Sequence, residues 1–220
     1  MKRTSLAILA LSIAISTLAQ NSGDLENQFY FRFGYSIPTS SYFGNNDDAY
    51  WDLLSKVGGT FELGSIFMIN SAALADGLCL GINVDYAEFS YIQLKEPAPP
   101  SYAYTGVLKL SSKIGPSLSY SPASNLVFDL FVKAKIPWVA GIVTWFADGE
   151  VNDGYLAGPG IGVATGVNVR YRFLMFGFEF NSDRMKFESV DNKGTYFGNY
   201  SDGSEKTPMP GFNFTFGFSF

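Results

Sequence analysis

The chain consists largely of segments in which apolar and polar residues alternate. In residues 212–220, Phe occupies every even position and a small or polar residue stands at every odd one. A period of two is typical of a β-strand with two unlike faces. The same alternation predicts eight strands, at about 28–37, 57–69, 78–91, 106–120, 126–138, 160–173, 175–187 and 212–220.

One of these segments changes phase. From Leu78 to Tyr86 the apolar side chains stand at even positions, whereas Phe89 and Tyr91 stand at odd positions. A β-bulge inserts one extra residue into a strand and reverses the parity beyond it. The sequence therefore predicts a bulge near Ala87.

The connections between the predicted strands alternate between long and short. Compact turns are predicted near 72–77, 122–125 and Leu174. Long outer loops, short periplasmic turns and an even strand number are typical of bacterial outer-membrane barrels. We predict an all-β fold, an eight-stranded antiparallel up-and-down transmembrane β-barrel with both termini in the periplasm. The long loops, rich in Gly, Pro, Asn and Asp, are predicted at 38–56, 92–105, 139–159 and 188–207.

The first 19 residues have the pattern of a secretory signal peptide. Lys2 and Arg3 precede an apolar run over 6–18, and small residues stand at Thr17 and Ala19. The run is shorter than the roughly 20 residues that a membrane-spanning helix needs. We predict a cleaved signal peptide at 1–19 and one barrel domain at 20–220.

The large number of aromatic residues predicts which face of the strands points outward. The interior of an eight-stranded barrel is just wide enough to be filled by side chains. The first, seventh and eighth predicted strands become neighbours when the barrel closes, and twelve rings on them would overfill a soluble barrel. We therefore expect the apolar face to contact lipid. The twelve rings are Phe29, Phe31, Phe33, Tyr35, Phe176, Phe178, Phe180, Phe212, Phe214, Phe216, Phe218 and Phe220.

These features resemble the small outer-membrane β-barrel superfamily, the OmpA- and OmpX-like proteins. The resemblance is carried by Ala19-Gln20, the eight alternating strands and the terminal Phe218-Ser219-Phe220. It implies a location in the bacterial outer membrane, in contact with lipid and lipopolysaccharide. In this group a terminal aromatic residue, here Phe220, is part of the signal read by the barrel-assembly machinery, which the resemblance implies as a partner. The motif indicates export and assembly rather than an activity.

The polar face predicts a charged lumen with seven basic and four acidic side chains. Charges in a confined space persist when they are paired or hydrated. One interpretation is a network of ion pairs that fills the barrel, and the alternative is a narrow, anion-favouring porin-like or small-molecule conduit. A passage for apolar molecules would need an apolar lumen pocket, which the pattern does not indicate. The predicted lumen residues are Arg32, Glu62, Asp85, Lys109, Lys113, Asp129, Lys133, Lys135, Arg170, Arg172 and Glu179.

Composition argues against several functions. Without Lys2 and Arg3 the chain has 13 basic and 20 acidic residues, a net charge of −7, which is unfavourable for binding nucleic acid. It contains no His, on which Ser-His-acid catalysis depends. Acidic groups such as Asp47-Asp48 and Asp148/Glu150/Asp153 could serve a His-free protease, but clustered loop carboxylates are usually solvated. We expect no catalytic residue, cofactor or metal site.

Aromatic residues in the predicted loops suggest a surface for binding other molecules. Tyr and Trp among small polar residues form adaptable contact surfaces. We predict a monomer with a structural or surface-interaction role and an extracellular ligand at the loops. Packing of these rings on other loops or on lipid headgroups is the alternative. The residues are Tyr42, Phe43, Tyr50, Trp51, Tyr196, Phe197 and Tyr200.

Overall fold

The computed structural model describes residues 25–39, 54–55, 58–95, 104–147, 150–186, 188–191 and 207–220. Among these residues no helix is long and apolar enough to cross a membrane. The predicted signal peptide and the aromatic residues of the first and fourth predicted loops lie outside the described residues.

Ten strands lie within the described ranges, eight of them long. Each strand takes its number from its order in the chain. The strands are β1 Gln28–Pro38, β2 Leu54–Ser55, β3 Gly58–Ala75, β4 Leu78–Lys95, β5 Tyr104–Ala123, β6 Leu126–Ala147, β7 Glu150–Tyr171, β8 Leu174–Met185, β9 Glu188–Asp191 and β10 Thr207–Ser219.

The eight long strands form a closed antiparallel barrel. Each pairs with the long strand before and after it in the chain, and β1 pairs with both β3 and β10. Phe29 and Phe220 exchange two backbone hydrogen bonds, of 3.0 and 2.8 Å, across the closing seam. Closure leaves no free sheet edge, whose backbone N–H and C=O groups would lack hydrogen-bond partners in a membrane. The predicted eight-stranded up-and-down barrel is confirmed.

The barrel carries its apolar side chains on the outside. Ile136 is 67% exposed and Tyr35 is 66% exposed, whereas charged residues such as Lys113 and Glu62 are buried. Rings on β1, β10 and β8 contact one another along the seam, with Phe178 and Phe214 having centroids 5.0 Å apart. The distribution is the reverse of that in a water-soluble barrel, and the predicted orientation is confirmed.

The predicted bulge lies in β4. Asp85 pairs with Gly64 of β3, but Ala87 pairs with the adjacent Leu63, so that Tyr86 is the extra residue. The pairing with β5 is interrupted between Asp85 and Glu88. Beyond the bulge Glu88 is buried and Phe89 is exposed, as the change of parity requires.

The strands extend further than predicted on the side of the long loops. Residues 139–147 and 150–158 form paired strands, so the prediction of a loop over 139–159 was wrong. The Gly-, Pro-, Asn- and Asp-rich composition of 139–159 suggested a loop, but the pairing of β6 with β7 accommodates both Gly141 and Pro159. Pro159 lies opposite Trp138 in this ladder.

Two-residue turns join the strands at the other end. They are Asp76–Gly77, Ser124–Asn125 and Arg172–Phe173, and each contains one residue with a left-handed backbone. These residues are Gly77 (φ 73°), Asn125 (φ 66°) and Arg172 (φ 55°). The third turn therefore begins two residues before the predicted position at Leu174.

A charge on the outer face should destabilise the barrel in a bilayer. Ile114 lies at the middle of β5 and is 57% exposed. We expect Ile114→Arg to lower the free energy of unfolding in lipid vesicles by about 2–4 kcal/mol, since Arg at the bilayer centre costs about that much. Urea titration with tryptophan fluorescence measures it, with Ile114→Leu as the control. Equal stability of the two variants would contradict a lipid-facing position.

Candidate functional site: a charged lumen between two apolar clusters

Alternation of side chains places a continuous series of residues from each strand in the lumen. On β8 the inward series runs from Met175 at the turn end, through Glu179 and Asp183, to Met185 at the loop end. All four are buried. On this strand, charges occupy the middle and apolar side chains occupy both ends.

Lys113 of β5 lies at the centre of the charged region. Its side chain is buried, and its ammonium lies among four carboxylates from β3, β4 and β8. We call the four acidic residues the central carboxylate cluster. The distances from Lys113 Nζ are 2.5 Å to Glu179 Oε1, 3.2 Å to Glu62 Oε1, 3.2 Å to Asp85 Oδ2 and 3.3 Å to Glu88 Oε2.

Two lysines continue the network toward the loop end. Lys135 Nζ lies 2.8 Å from Glu88 Oε2 and 3.3 Å from Asp183 Oδ2. Lys109 Nζ lies 2.9 Å from Asp183 Oδ2. Each cation thus lies against a carboxylate on another strand across the lumen.

Two further cations, Lys133 and Arg32, belong to the network. Lys133 Nζ lies 2.7 Å from Asp85 Oδ2 and 3.5 Å from Glu179 Oε2. Arg32 Nε donates to Glu62 Oε2 at 2.5 Å. Tyr30 Oη donates a hydrogen bond to Asp85 and lies 2.8 Å from Asn83 Oδ1, which joins the network to the residues at the turn end.

Asparagines connect the two remaining long strands, β7 and β10, to the network. Asn168 of β7 accepts a hydrogen bond from Arg32 Nη1 at 2.5 Å. Asn213 of β10 donates to Glu88 Oε1 at 3.2 Å. Every long strand of the barrel therefore contributes a side chain to a connected polar network.

A separate ion pair lies closer to the turns. Arg170 donates from Nε and Nη2 to the two oxygens of Asp129, at 2.8 and 2.9 Å. Ser119 also donates to Asp129, at 2.6 Å. Two parallel hydrogen bonds fix the guanidinium and the carboxylate relative to each other.

An apolar cluster lies at each end of the central charged region. The turn-end cluster contains Tyr30, Ile66, Met68, Cys79 and Met175, with Leu25 packed against it. The loop-end cluster contains Ile92, Val107, Val139, Met185 and Met209, each no more than 1% exposed. Sequence reasoning missed both clusters, and it placed Ile92 and Val139 in loops. Cys79 is buried as a free thiol.

Arg172 is the predicted lumen residue that the structure places elsewhere. It lies in the turn between β7 and β8, and its side chain is exposed with the guanidinium carbon 5.6 Å from the ring centroid of Tyr171. The prediction was wrong because it continued the strand to Phe173, whereas the strand ends at Tyr171 and the left-handed backbone of Arg172 begins the turn. The other ten predicted residues are buried in the lumen.

The structure adds two acidic residues, Glu88 and Asp183. Glu88 follows the bulge, where the reversed parity already pointed to an inward position. Asp183 continues the inward series of Glu179 and Asn181. Among the described residues the buried lumen charges are therefore six basic and six acidic. This balance removes the excess of basic residues on which the anion-favouring conduit was based.

Comparison with solved structures finds a similar fold in an outer-membrane protein. The major outer membrane protein of Thermus thermophilus superimposes with a TM-score of 0.50 at 13% identity, over 88% of this chain and 98% of that one. The outer membrane protein OprG of Pseudomonas aeruginosa gives a TM-score of 0.42 at 14% identity, over 90% and 98% of the two chains. No protein-family model and no curated protein sequence matches the chain.

The chain has the fold of an outer-membrane β-barrel. This fold and the apolar exterior agree with the predicted location in the bacterial outer membrane. In this outer-membrane barrel Phe220 lies at the closing seam, with its ring centroid 5.9 Å from that of Phe31. Recognition of Phe220 by the assembly machinery stays a prediction.

A glycine makes room for the Arg32 side chain in the outer-membrane barrel. A Cβ at Gly177 would lie 2.6 Å from Arg32 Nη1, 3.0 Å from Asn168 Oδ1 and against Thr215. We expect Gly177→Ala to displace Arg32 and lower the free energy of unfolding by about 1–3 kcal/mol. Urea titration in vesicles measures it. Gly59→Ala is the matched control, because a Cβ at Gly59 has no atom within 4 Å; an equal loss in both variants would contradict the steric explanation.

The Asp129–Arg170 pair allows a test of charge pairing apart from the larger network. We expect Arg170→Met to lower the free energy of unfolding by about 3–5 kcal/mol, because it leaves the Asp129 carboxylate buried without its cation. Combining Arg170→Met with Asp129→Leu should restore most of the loss. Unfolding of the single and double variants in vesicles measures both effects. A double variant no more stable than Arg170→Met would show that charge pairing is not what stabilises this site.

Proposed function

We propose that the protein is a closed outer-membrane barrel with a structural or surface-interaction role. The observation that carries this proposal is the balanced lumen network, which has an apolar cluster at each end. Side chains from all eight long strands contribute to the network.

Passage of an ion through this lumen would require a large rearrangement. At the loop end an ion would have to displace side chains such as Val139 and Met185, neither of which is exposed at all. In the middle it would have to separate buried ion pairs such as Lys113 with Glu179. Leaving a buried charge without its partner costs several kcal/mol. The porin-like alternative, an open narrow channel, is therefore less well supported than a closed barrel.

The long hairpin supports a role outside the membrane. β6 and β7 have 22 residues each, whereas β1 has 11 and β8 has 12. The additional pairs of β6 and β7 lie on the side of the predicted outer loops. We infer that the barrel anchors this hairpin and the loops at the cell surface, where they contact lipopolysaccharide or an extracellular ligand.

We further propose that the barrel has no enzymatic activity. The chain lacks His, and the described lumen carboxylates lie against cations. A carboxylate held by an ammonium or guanidinium is a poor general base, because the cation stabilises its charged form. Assembly by the barrel-assembly machinery and a monomeric state complete the proposal.

Conductance through a planar lipid bilayer tests the closed barrel. We expect purified protein to give no discrete current steps above the lipid background, since the apolar clusters and the ion pairs exclude water-filled passage. A known porin in the same bilayers is the positive control. Reproducible single-channel steps from the folded protein would overturn the proposal in favour of the narrow channel.

A further inference from the structure

A groove crosses the outer wall of the barrel between two rows of outward-facing residues. Each row passes from strand to strand through ladder partners, and between the rows lies one apolar cavity of about 840 Å³. We call it the wall groove. The first row is Phe176, Phe216, Phe33, Phe61 and Phe89, and the second is Phe214, Tyr35, Gly59, Tyr91 and Leu108. The residues between the rows belong to the inward-facing series, so their backbone forms the floor; they are Gly34, Thr60, Gly177 and Thr215.

The side chains beside the wall groove leave it open at Gly59. In the first row the rings of Phe33 and Phe216 contact each other along the row, with centroids 5.8 Å apart. In the second row the Tyr91 ring lies over Gly106 of β5, where an added Cβ would be 2.8 Å from Tyr91 Oη. A Cβ added at Gly59 would have no atom within 4 Å. The groove therefore has room for a molecule that the barrel itself does not supply.

The length and direction of the wall groove match one hydrocarbon chain. The first row crosses five strands, which at about 4.8 Å per interval gives a length of about 19 Å. Strands of outer-membrane barrels tilt by about 35–45°, so a row perpendicular to them covers about 11–13 Å of membrane depth. The hydrocarbon of one leaflet is about 15 Å thick. The groove descends from the loop end of β3, where Gly59 lies, toward Phe176 on β8.

We propose that the wall groove binds one acyl chain of a membrane lipid whose headgroup lies on the loop side. The groove faces the membrane, because it lies in the wall that carries the exposed apolar side chains of the barrel. Tyr35 and Tyr91 flank its upper part and are 66% and 53% exposed. Tyr side chains of membrane proteins lie at the level of the headgroups. The chain then enters between the two phenols and continues along the phenylalanine row.

A second copy of the barrel does not fit the wall groove. Two barrels that stand side by side in a membrane touch along a line parallel to their axes. The groove instead runs obliquely across five of the eight long strands. A flexible chain can follow this curved path, whereas a rigid wall can meet only a small part of it.

Filling the wall groove tests the proposal. Wild-type protein, Gly59→Phe and Ala134→Phe are refolded in a non-ionic detergent with dipalmitoyl phosphatidylethanolamine, and native mass spectrometry measures the lipid retained after the detergent is removed. Ala134→Phe is the matched control, because it adds the same ring at an exposed position of β6 outside the groove. We expect the wild type and Ala134→Phe to retain one lipid. Gly59→Phe should bind it about tenfold more weakly or worse, since losing the burial of two methylenes already costs about that much.

A lipid with shorter chains separates recognition of the chain from recognition of the headgroup. Dihexanoyl phosphatidylethanolamine has the same headgroup, and we expect the wild type to bind it about tenfold more weakly or worse, for the same reason. If Gly59→Phe does not fold, Gly59→Leu takes its place in the comparison. The proposal is overturned if the wild type retains no lipid or a second barrel instead. It is also overturned if the Gly59 variant binds lipid as well as Ala134→Phe, or if chain length has no effect. Wild-type conductance tests the closed barrel separately.

Discussion

A charged side chain inside a narrow protein lumen is tolerated when an opposite charge lies against it. This requirement governs the arrangement of the barrel. Eight strands leave an interior only about as wide as the side chains that fill it. Six cations and six anions share that interior among the described residues. Because the partners come from different strands, often across the lumen, pairing also fixes how the strands are placed around the axis.

The outer surface is subject to a different constraint. Hydrocarbon is as apolar as the side chains it meets, so burial of apolar area contributes little to holding the strands together there. Backbone hydrogen bonds around the closed sheet and ring contacts along the β1, β10 and β8 seam stabilise that side. Specific recognition between strands is therefore concentrated in the lumen, where Arg32 of β1 contacts Glu62 of the neighbouring strand and Asn168 across the barrel.

The strands and the division of each strand into an apolar and a polar face could be predicted from alternation alone, because the side-chain period of a strand is independent of the rest of the fold. Even the bulge in β4 was apparent from the position of Phe89. The partners of each charge could not be predicted, since Lys113 and Glu179 are 66 residues apart and meet only through closure. The balance of charge depended on three local details: the turn that moves Arg172 outward, the inward parity of Glu88 beyond the bulge, and the inward position of Asp183 near the end of β8.

The extent of β6 and β7 was the least predictable part, since Gly and Pro within 139–159 resemble a loop composition. The residue pairs beyond Val139 and Gly158 bring their own ladder hydrogen bonds, and none of the side chains described in this part of the hairpin belongs to the charged network. The hairpin can consequently lengthen, shorten or change its sequence while the interior stays the same. In evolutionary terms, the β6–β7 hairpin is free to diversify under selection, whereas the barrel with its charged lumen is not.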